Sequence, residues 1–260
     1  MRIATWNVNS IKQRLDHLLD FLKLQQPDVV CLQELKCQDE AFPLLEIESA
    51  GYNAAWLGQK TFNGVAILSR HPLEDIRKGL PGNDEDVQAR YVEATVIPSG
   101  GKLFRVASIY LPNGNPLGTE KFDYKLAWMD RLEKHVRELL KLEEPLVLAG
   151  DYNVIPEPED AADPKQWLND ALFQPESRAR FRRLLNLGLT DALRSCTGEA
   201  GLYTFWDYQA AAWQRNNGIR IDHMLLSPQA ADLLDQVQIF KETRSWEKPS
   251  DHVPVIADFR

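Results

Sequence analysis

Apolar positions along the chain switch between two periods. In RIATWNVN (2–9) they alternate with polar ones, which predicts a strand. From Ile11 to Gln25 the spacing lengthens. Ile11, Leu15, Leu18, Leu19 and Leu22 fall at helical intervals, with Ser10 as the expected N-cap and Pro27 past the end. DVVCLQE (28–34) reads as a short buried strand, and YNAAWLG (52–58), GVAILS (64–69), ARYVEATVI (89–97) and KLFRVASIYLP (102–112) as further strands. A long amphipathic helix follows, with Phe122, Leu126, Met129, Leu132, Val136, Leu139 and Leu140 on one side. PLVLAGDYN (145–153) is another buried strand with polar residues at its end, and IPEPEDAADPK (155–165), without periodicity, is a loop. SRARFRRLLNLG (177–188) is a basic amphipathic helix closed by Gly188. LYTFWDY (202–208), GIRIDHMLLS (218–227), DQVQIF (235–240) and VPVIADF (253–259) complete the expected strands. Both halves supply strands, helices are few and interspersed, and no linker or repeat interrupts them. The expected architecture is α/β: two packed sheets with helices outside, in a single domain spanning 1–260.

Composition narrows the class without naming a function. Of 260 residues, 44% are hydrophobic and 26% charged, which is ordinary for a globular chain with a large core. MRIATWNVNS lacks the continuous apolar stretch of a signal peptide, so a cytoplasmic, non-secreted protein is expected. No apolar run approaches the ~18 residues of a membrane span. Cys31, Cys37 and Cys196 are odd in number and lack metal-like spacing, which fits a reducing compartment. The net charge of −8 argues against phosphate binding through Lys and Arg alone. Acids gathered around a divalent cation would add negative charge and still attract phosphate through the metal.

The polar residues that close the strands carry the chemistry. Asn7 and Asn9 end the first, Glu34 the second, Tyr110 and Asn113 the strand before the long helix, and Asp151 and Asn153 the next. Asp222 interrupts an apolar strand, and Asp251 and His252 precede the last. Singly, each has a plain reading. Asn and Asp form turns, Glu34 can face water, and His252 can be a satisfied structural histidine. Asp222 is harder to dismiss, because a buried carboxylate needs a partner. Together they offer carboxylates, amides, a phenol and an imidazole at one kind of place, the edge of a sheet layer. Oxygen ligands without cysteine suit a hard cation such as Mg²⁺ or Mn²⁺. No Ser or Cys nucleophile motif, GxxxxGK[ST] or GxGxxG is present. The chemistry expected is metal-assisted attack of water on phosphorus.

TWNVNSIKQR, CLQELKC, NGVAILS, IYLPNG, AGDYNV, TFWDY, NGIRIDHMLLS and SDHVPV resemble, in order, the motifs of the exonuclease III family of abasic-site endonucleases, within the endonuclease/exonuclease/phosphatase superfamily. The resemblance runs from the first strand to the last. It implies a four-layered α/β sandwich of the deoxyribonuclease I type: two face-to-face mixed β-sheets flanked by helices. It also implies Mg²⁺-dependent cleavage of duplex DNA 5′ of abasic sites, with 3′→5′ removal of nucleotides or blocking groups. Mn²⁺ is expected to substitute, and a monomer suits a protein that clamps a bent duplex.

The implied roles are specific. Glu34 is the principal metal ligand, with Asn7 beside it. Asp151 positions and deprotonates the attacking water, Asn153 contacts water or phosphate, and this pair could instead form a second metal site. Tyr110 and Asn113 donate to the scissile phosphate. His252 contacts that phosphate and is held by Asp222. Asp251 ligates the metal, supports a ligand or shapes the turn. Phe205 and Ile221 line the pocket for a flipped-out sugar. Trp213, Lys36, Arg90, Arg215, Arg220 and the basic helix are candidate DNA contacts, whereas Trp206 reads as core. Two positions depart from relatives: Asn9 stands where some have Asp, and Ile219 where some have Trp. A second reading keeps this core but turns it on inositol phosphates, sphingomyelin or RNA. A non-catalytic binding module is the weakest, since every polar position keeps a competent side chain.

Overall fold

The computed structural model describes residues 1–260. Its elements run β1 (Arg2–Asn7), α1 (Leu15–Gln25), β2 (Val29–Gln33), α2 (Leu44–Ser49), β3 (Asn53–Leu57), β4 (Val65–Ser69), β5 (Leu73–Lys78), β6 (Tyr91–Val96) and β7 (Phe104–Tyr110). They continue with α3 (Glu120–Leu140), β8 (Leu146–Asp151), α4 (Pro175–Asn186), β9 (Thr190–Asp191), α5 (Ala192–Cys196), β10 (Asp222–Leu226), α6 (Pro228–Ala231), β11 (Leu234–Ile239) and β12 (Val255–Phe259).

Two six-stranded sheets form, ordered β11-β12-β1-β2-β4-β3 and β5-β6-β7-β8-β10-β9. Each contains one parallel pair at its centre, β1 with β2 and β7 with β8, flanked by antiparallel neighbours. The two sheets therefore share one pairing pattern, which no sequence repeat announces.

Alternation along each strand sorts side chains into layers. Ile3, Val29, Cys31, Val106, Val147, Ala149, Met224 and Val255 meet between the sheets. Ala4, Trp6, Val30, Leu32 and Ile256 point the other way and pack under α1 with Leu18, Phe21 and Leu22. On the far side, Ile109, Leu148 and Leu225 pack beneath Trp128, Met129, Leu132 and Val136 of α3 and Phe181 of α4. The result is the expected helix–sheet–sheet–helix sandwich. Its largest fully buried side chains include Trp6 and Trp128, and truncating either to Ala would cost about 3–5 kcal/mol.

The inward files also run from apolar to polar toward one rim. β1 reads Ile3, Thr5, Asn7; β7 reads Val106, Ser108, Tyr110; β8 reads Val147, Ala149, Asp151; and β10, running the opposite way, reads Leu226, Met224, Asp222. Midway, a buried polar link ties the sheets together. Gln33 Nε2 donates to Thr5 Oγ1 (3.1 Å) and to Ser108 Oγ (3.0 Å), and Ser108 donates to the Leu32 carbonyl (2.9 Å).

Two sequence expectations are corrected and one strand is added. Ser10 is not an N-cap: its φ is +88°, and α1 begins only at Leu15. Segment 8–11 instead continues beside β2, with Ser10 N donating to Glu34 O (2.8 Å) and Ile11 N to Leu35 O (3.1 Å). LYTFWDY forms no strand. Phe205 makes only single bridges, to Ile219 and His252. β5, LEDIRK, was not foreseen. It is an exposed edge strand with no apolar face to betray it.

Candidate active site

Strand register builds the site. Tyr110 pairs with Asp151 across β7 and β8, and Asp151 with Asp222 across β8 and β10. These three side chains therefore stand in one row on the inner face of one sheet. β8 can lie this close because residue 150 is glycine: a Cβ there would meet the Ile109 carbonyl oxygen at 1.9 Å. From the facing sheet come Asn7 at the end of β1 and Glu34 just past β2. Asn7 Nδ2 donates to Glu34 Oε1 (2.9 Å) and to Asp151 Oδ2 (3.0 Å), so one buried amide joins the two sheets. Glu34, Lys36, Asn9 and Asn153 all have positive φ, between 44° and 54°. Such conformations cost about 1–3 kcal/mol each for residues with a side chain and gather at functional sites.

His252 arrives from the turn before β12. Ser250 Oγ donates to Asn7 O (2.7 Å), His252 N donates to Ser250 Oγ (3.2 Å), and Trp6 Nε1 donates to the His252 carbonyl (3.1 Å). The imidazole Nδ1 lies 2.8 Å from Asp222 Oδ2, and Nε2 lies 3.7 Å from Asp151 Oδ2. Thr204 Oγ1 accepts from the backbone of Ile221 and Asp222 (3.2 Å each), and Val253 N donates to Thr204 O (2.9 Å). This irregular ladder replaces the strand expected over 202–208 and sets the Phe205 ring 4.9 Å from the His252 ring. Ile221 lies buried beside Phe205.

The electrostatics follow from this crowding. Burial opposes charge on His252, but the Asp222 and Asp151 carboxylates outweigh it and raise its pKa to about 10. The ring is thus an imidazolium near neutral pH. Burial raises Asp151 to about 7; the imidazolium pulls it down, while Asp222 and Glu34 push it up. Burial also works against Glu34, but Lys36, with Nζ 2.9 Å from Oε2, and the Asn7 amide hold its carboxyl below the usual range. The Tyr110 phenol is pushed well above its ordinary value by burial and by Glu34 and Asp151, so it stays a donor.

Ligand atoms of Glu34, Asp151 and His252 lie within 4.8 Å of one another. An imidazolium has no lone pair to give, so the donors facing a cation are carboxylate and amide oxygens. That donor set fits a hard divalent ion. The raised pKa of Asp151 comes first from its burial, with Asp222 and Glu34 adding negative charge beside it.

Other expected residues fall as follows. Asn153 N donates to Asp151 Oδ1 (2.9 Å), and Asn113 Nδ2 to Asn153 Oδ1 (3.3 Å). Asp251 sits at the rim, accepting from Asn9 Nδ2 (3.0 Å). The Arg90 guanidinium lies 5.0 Å from the Tyr110 ring centroid and lines a cavity of about 430 Å³ with Asn113, Lys121 and Tyr124. Two candidates are not brought together with these. Trp213 packs edge-on against Trp206 at 4.8 Å, within the aromatic cluster of its own loop. Arg220 is buried at 1% exposure, gripping Asp160 (2.7 and 3.1 Å) and Asp191 (2.8 Å), and cannot reach DNA. The arginines of α4 are likewise paired with Asp130, Glu133 and Glu157.

Sequence reasoning missed Lys125. It is fully buried on the inner face of α3, and its Nζ donates to the carbonyls of Asn113 (3.0 Å) and Asn153 (2.5 Å). Burial pushes the ammonium down to about 7, against the pull of Asp151 and Asp170. The signal was there: residue 125 lies four and seven positions before Met129 and Leu132, on the apolar stripe.

A model of the endonuclease/exonuclease/phosphatase family matches residues 4–252. The chain belongs to that family. Its sandwich and the rim where Asn7, Glu34, Asp151 and His252 meet lie almost wholly within the matched span. Exodeoxyribonuclease III of Haemophilus influenzae is 34% identical over the full length of both chains. The 3′ phosphatase NExo from Neisseria, solved bound to a product DNA hairpin, superposes with a TM-score of 0.94 at 41% identity, covering 100% of this chain and 99% of that one. An AP endonuclease from Archaeoglobus fulgidus gives a TM-score of 0.94 at 35% identity, with the same coverage. No helix of this family member is long and apolar enough to cross a membrane.

Proposed function

We propose that this protein is a DNA-repair phosphodiesterase. It cuts duplex DNA 5′ of abasic sites and removes nucleotides or blocking groups from 3′ ends, with Mg²⁺ as cofactor and Mn²⁺ able to substitute. The observation that carries the reading is the convergence of Glu34, Asp151 and His252, from three distant parts of the chain, within 4.8 Å.

Glu34, with the oxygens of Asp151, Asn7 or Asn153, would hold the cation, and Asp251 supports the rim. When bound, that ion supplies Lewis-acid neutralisation of phosphate charge. Asp151, with a pKa near the working pH, takes the proton of the attacking water. Asn153 orients that water. Tyr110 and Asn113 donate to phosphate oxygens where negative charge develops, and His252 Nε2 donates beside them. Asp222 keeps Nδ1 protonated, which frees Nε2–H to point at the phosphate. Water oxygen bonds to phosphorus, the bond to the 3′ oxygen breaks, and that oxygen takes a proton from solvent and leaves as the 3′ hydroxyl, the water's own proton remaining on Asp151. Phe205 and Ile221 form an apolar wall suited to a sugar without its base, whose extrusion is cheapest where pairing is already lost.

The test is one panel: abasic duplex, duplex with a 3′ phosphate, intact duplex and an inositol phosphate, each with Mg²⁺ and with chelator. Incision at the abasic site, dependent on the cation, is the expected result. In Glu34→Ala and His252→Ala the rate should fall by ~100-fold or more. Hydrolysis of the inositol phosphate with both damaged duplexes untouched would overturn the reading.

A further inference from the structure

We propose that Lys125 is a positioning residue for this reaction: its buried ammonium sets the loops that carry Asn113 and Asn153. The inference rests on the phosphodiesterase reading above. A lysine at 0% exposure is costly to bury. Its hydrogen bonds go to two backbone carbonyls, Asn113 O (3.0 Å) and Asn153 O (2.5 Å). Those carbonyls belong to two different loops, one leaving β7 and one leaving β8. The side chains of the same two residues bond each other at 3.3 Å, and Asn153 Nδ2 donates to Leu111 O at 2.9 Å. One ammonium is thus the shared anchor for both amides that face the scissile bond.

The loop is also moulded on the lysine stem. Gly114 has φ +90°, and a Cβ there would lie 2.6 Å from Lys125 Cδ and 3.2 Å from its Cβ. Only glycine lets the chain pass so close over the aliphatic part. The anchor itself sits on a rigid element. α3 is 21 residues long and is held to the sheet by Trp128, Met129, Leu132 and Val136. Amides fixed from a packed helix hold their geometry better than amides on free loops.

A residue acting this way should change the chemical step and leave ground-state binding alone. The test uses the full chain and an abasic duplex, with single-turnover rates in Mg²⁺ and Kd measured in chelator. Lys125→Met should lower the single-turnover rate by ~30-fold or more while Kd stays within about threefold. In the same variant the side-chain amide resonances of Asn113 and Asn153 should move, and that of Asn7 should not. Gly114→Ala, on the loop side of the contact, leaves α3 and the Lys125 side chain in place and provides a second handle where Lys125→Met does not fold. It should lower the rate by about tenfold or more, and the double variant should be no slower than Lys125→Met alone. Wild-type cleavage with unchanged rates in Gly114→Ala, or in a folded Lys125→Met, overturns the proposal. Absence of cleavage by the wild type would instead overturn the phosphodiesterase reading.

Discussion

Replacing Asp222 by Asn removes one charge and keeps the shape of the group that holds His252. The two are 2.8 Å apart and nearly fully buried. At an effective dielectric of about 20, unit charges at that separation attract by about 6 kcal/mol. The rise of the His252 pKa from 6.5 to about 10 corresponds to about 5 kcal/mol at about 1.36 kcal/mol per pKa unit. Asp222 is the largest of the charges that favour the imidazolium, acting with Asp151 against burial. In Asp222→Asn, burial still opposes the charge while Asp151 alone of the close partners still favours it, so the ring's pKa falls toward its ordinary value. At pH 8 the imidazole is then mostly neutral, and Nε2–H is no longer guaranteed. The single-turnover rate should fall by ~100-fold at pH 8. The ratio of wild-type to variant rates should shrink as pH falls toward 6, because acid restores the proton on the ring. Ring nitrogen NMR of His252 between pH 5.5 and 9 reads the protonation directly. A ring still protonated at pH 8 in the variant, or a rate ratio independent of pH, would refute the reasoning.

Asp151→Asn should abolish cleavage yet stabilise the chelated protein. A carboxyl raised to about 7 contributes stability that is present below 3.8 and lost as pH rises through 7. The thermal midpoint of the variant relative to wild type should therefore be higher at pH 8 than at pH 4, and an equal difference at both pH values refutes this. Glu34→Gln removes one of the charges that faces the cation; the half-saturating Mg²⁺ concentration for cleavage should rise about tenfold or more, and an unchanged titration would remove Glu34 from the ligand set. Arg220→Met leaves Asp191 buried without its charged partner and Asp160 with Arg194 alone, and should cost about 3–5 kcal/mol in urea unfolding. The salt dependence of DNA affinity should stay as in wild type, and a shallower slope would restore Arg220 as a phosphate contact.

Much of the site was legible because polarity and strand period coincide. Asn7, Tyr110, Asp151 and Asp222 each end or begin an inward file of apolar residues, so one change of character marks the rim. Glu34 was legible as the polar end of VVCLQ, although its left-handed backbone, φ +54°, was not. Three failures have physical causes. LYTFWDY carries β-favouring aromatics, but Trp206 is fully buried, the segment's backbone bonds go to Ile219 and Asp251, and Thr204's side chain accepts from Ile221 and Asp222 in place of a regular ladder. Arg220 looked available because its acids stand 60 and 29 positions away in sequence. Lys125 broke the apolar stripe of α3, but what it touches depends on how two loops from different strands come together.

β1 lies between β12 and β2, and His252 reaches Asp222 only once β12 has taken its place beside β1. A chain in which this closing strand is loose retains most of its hydrophobic layers and its row of carboxylates but lacks the imidazolium among them. Hydrolytic competence and completion of the sheet thus become one event, and a partly folded copy is inert toward the genome instead of being a slow, indiscriminate cutter.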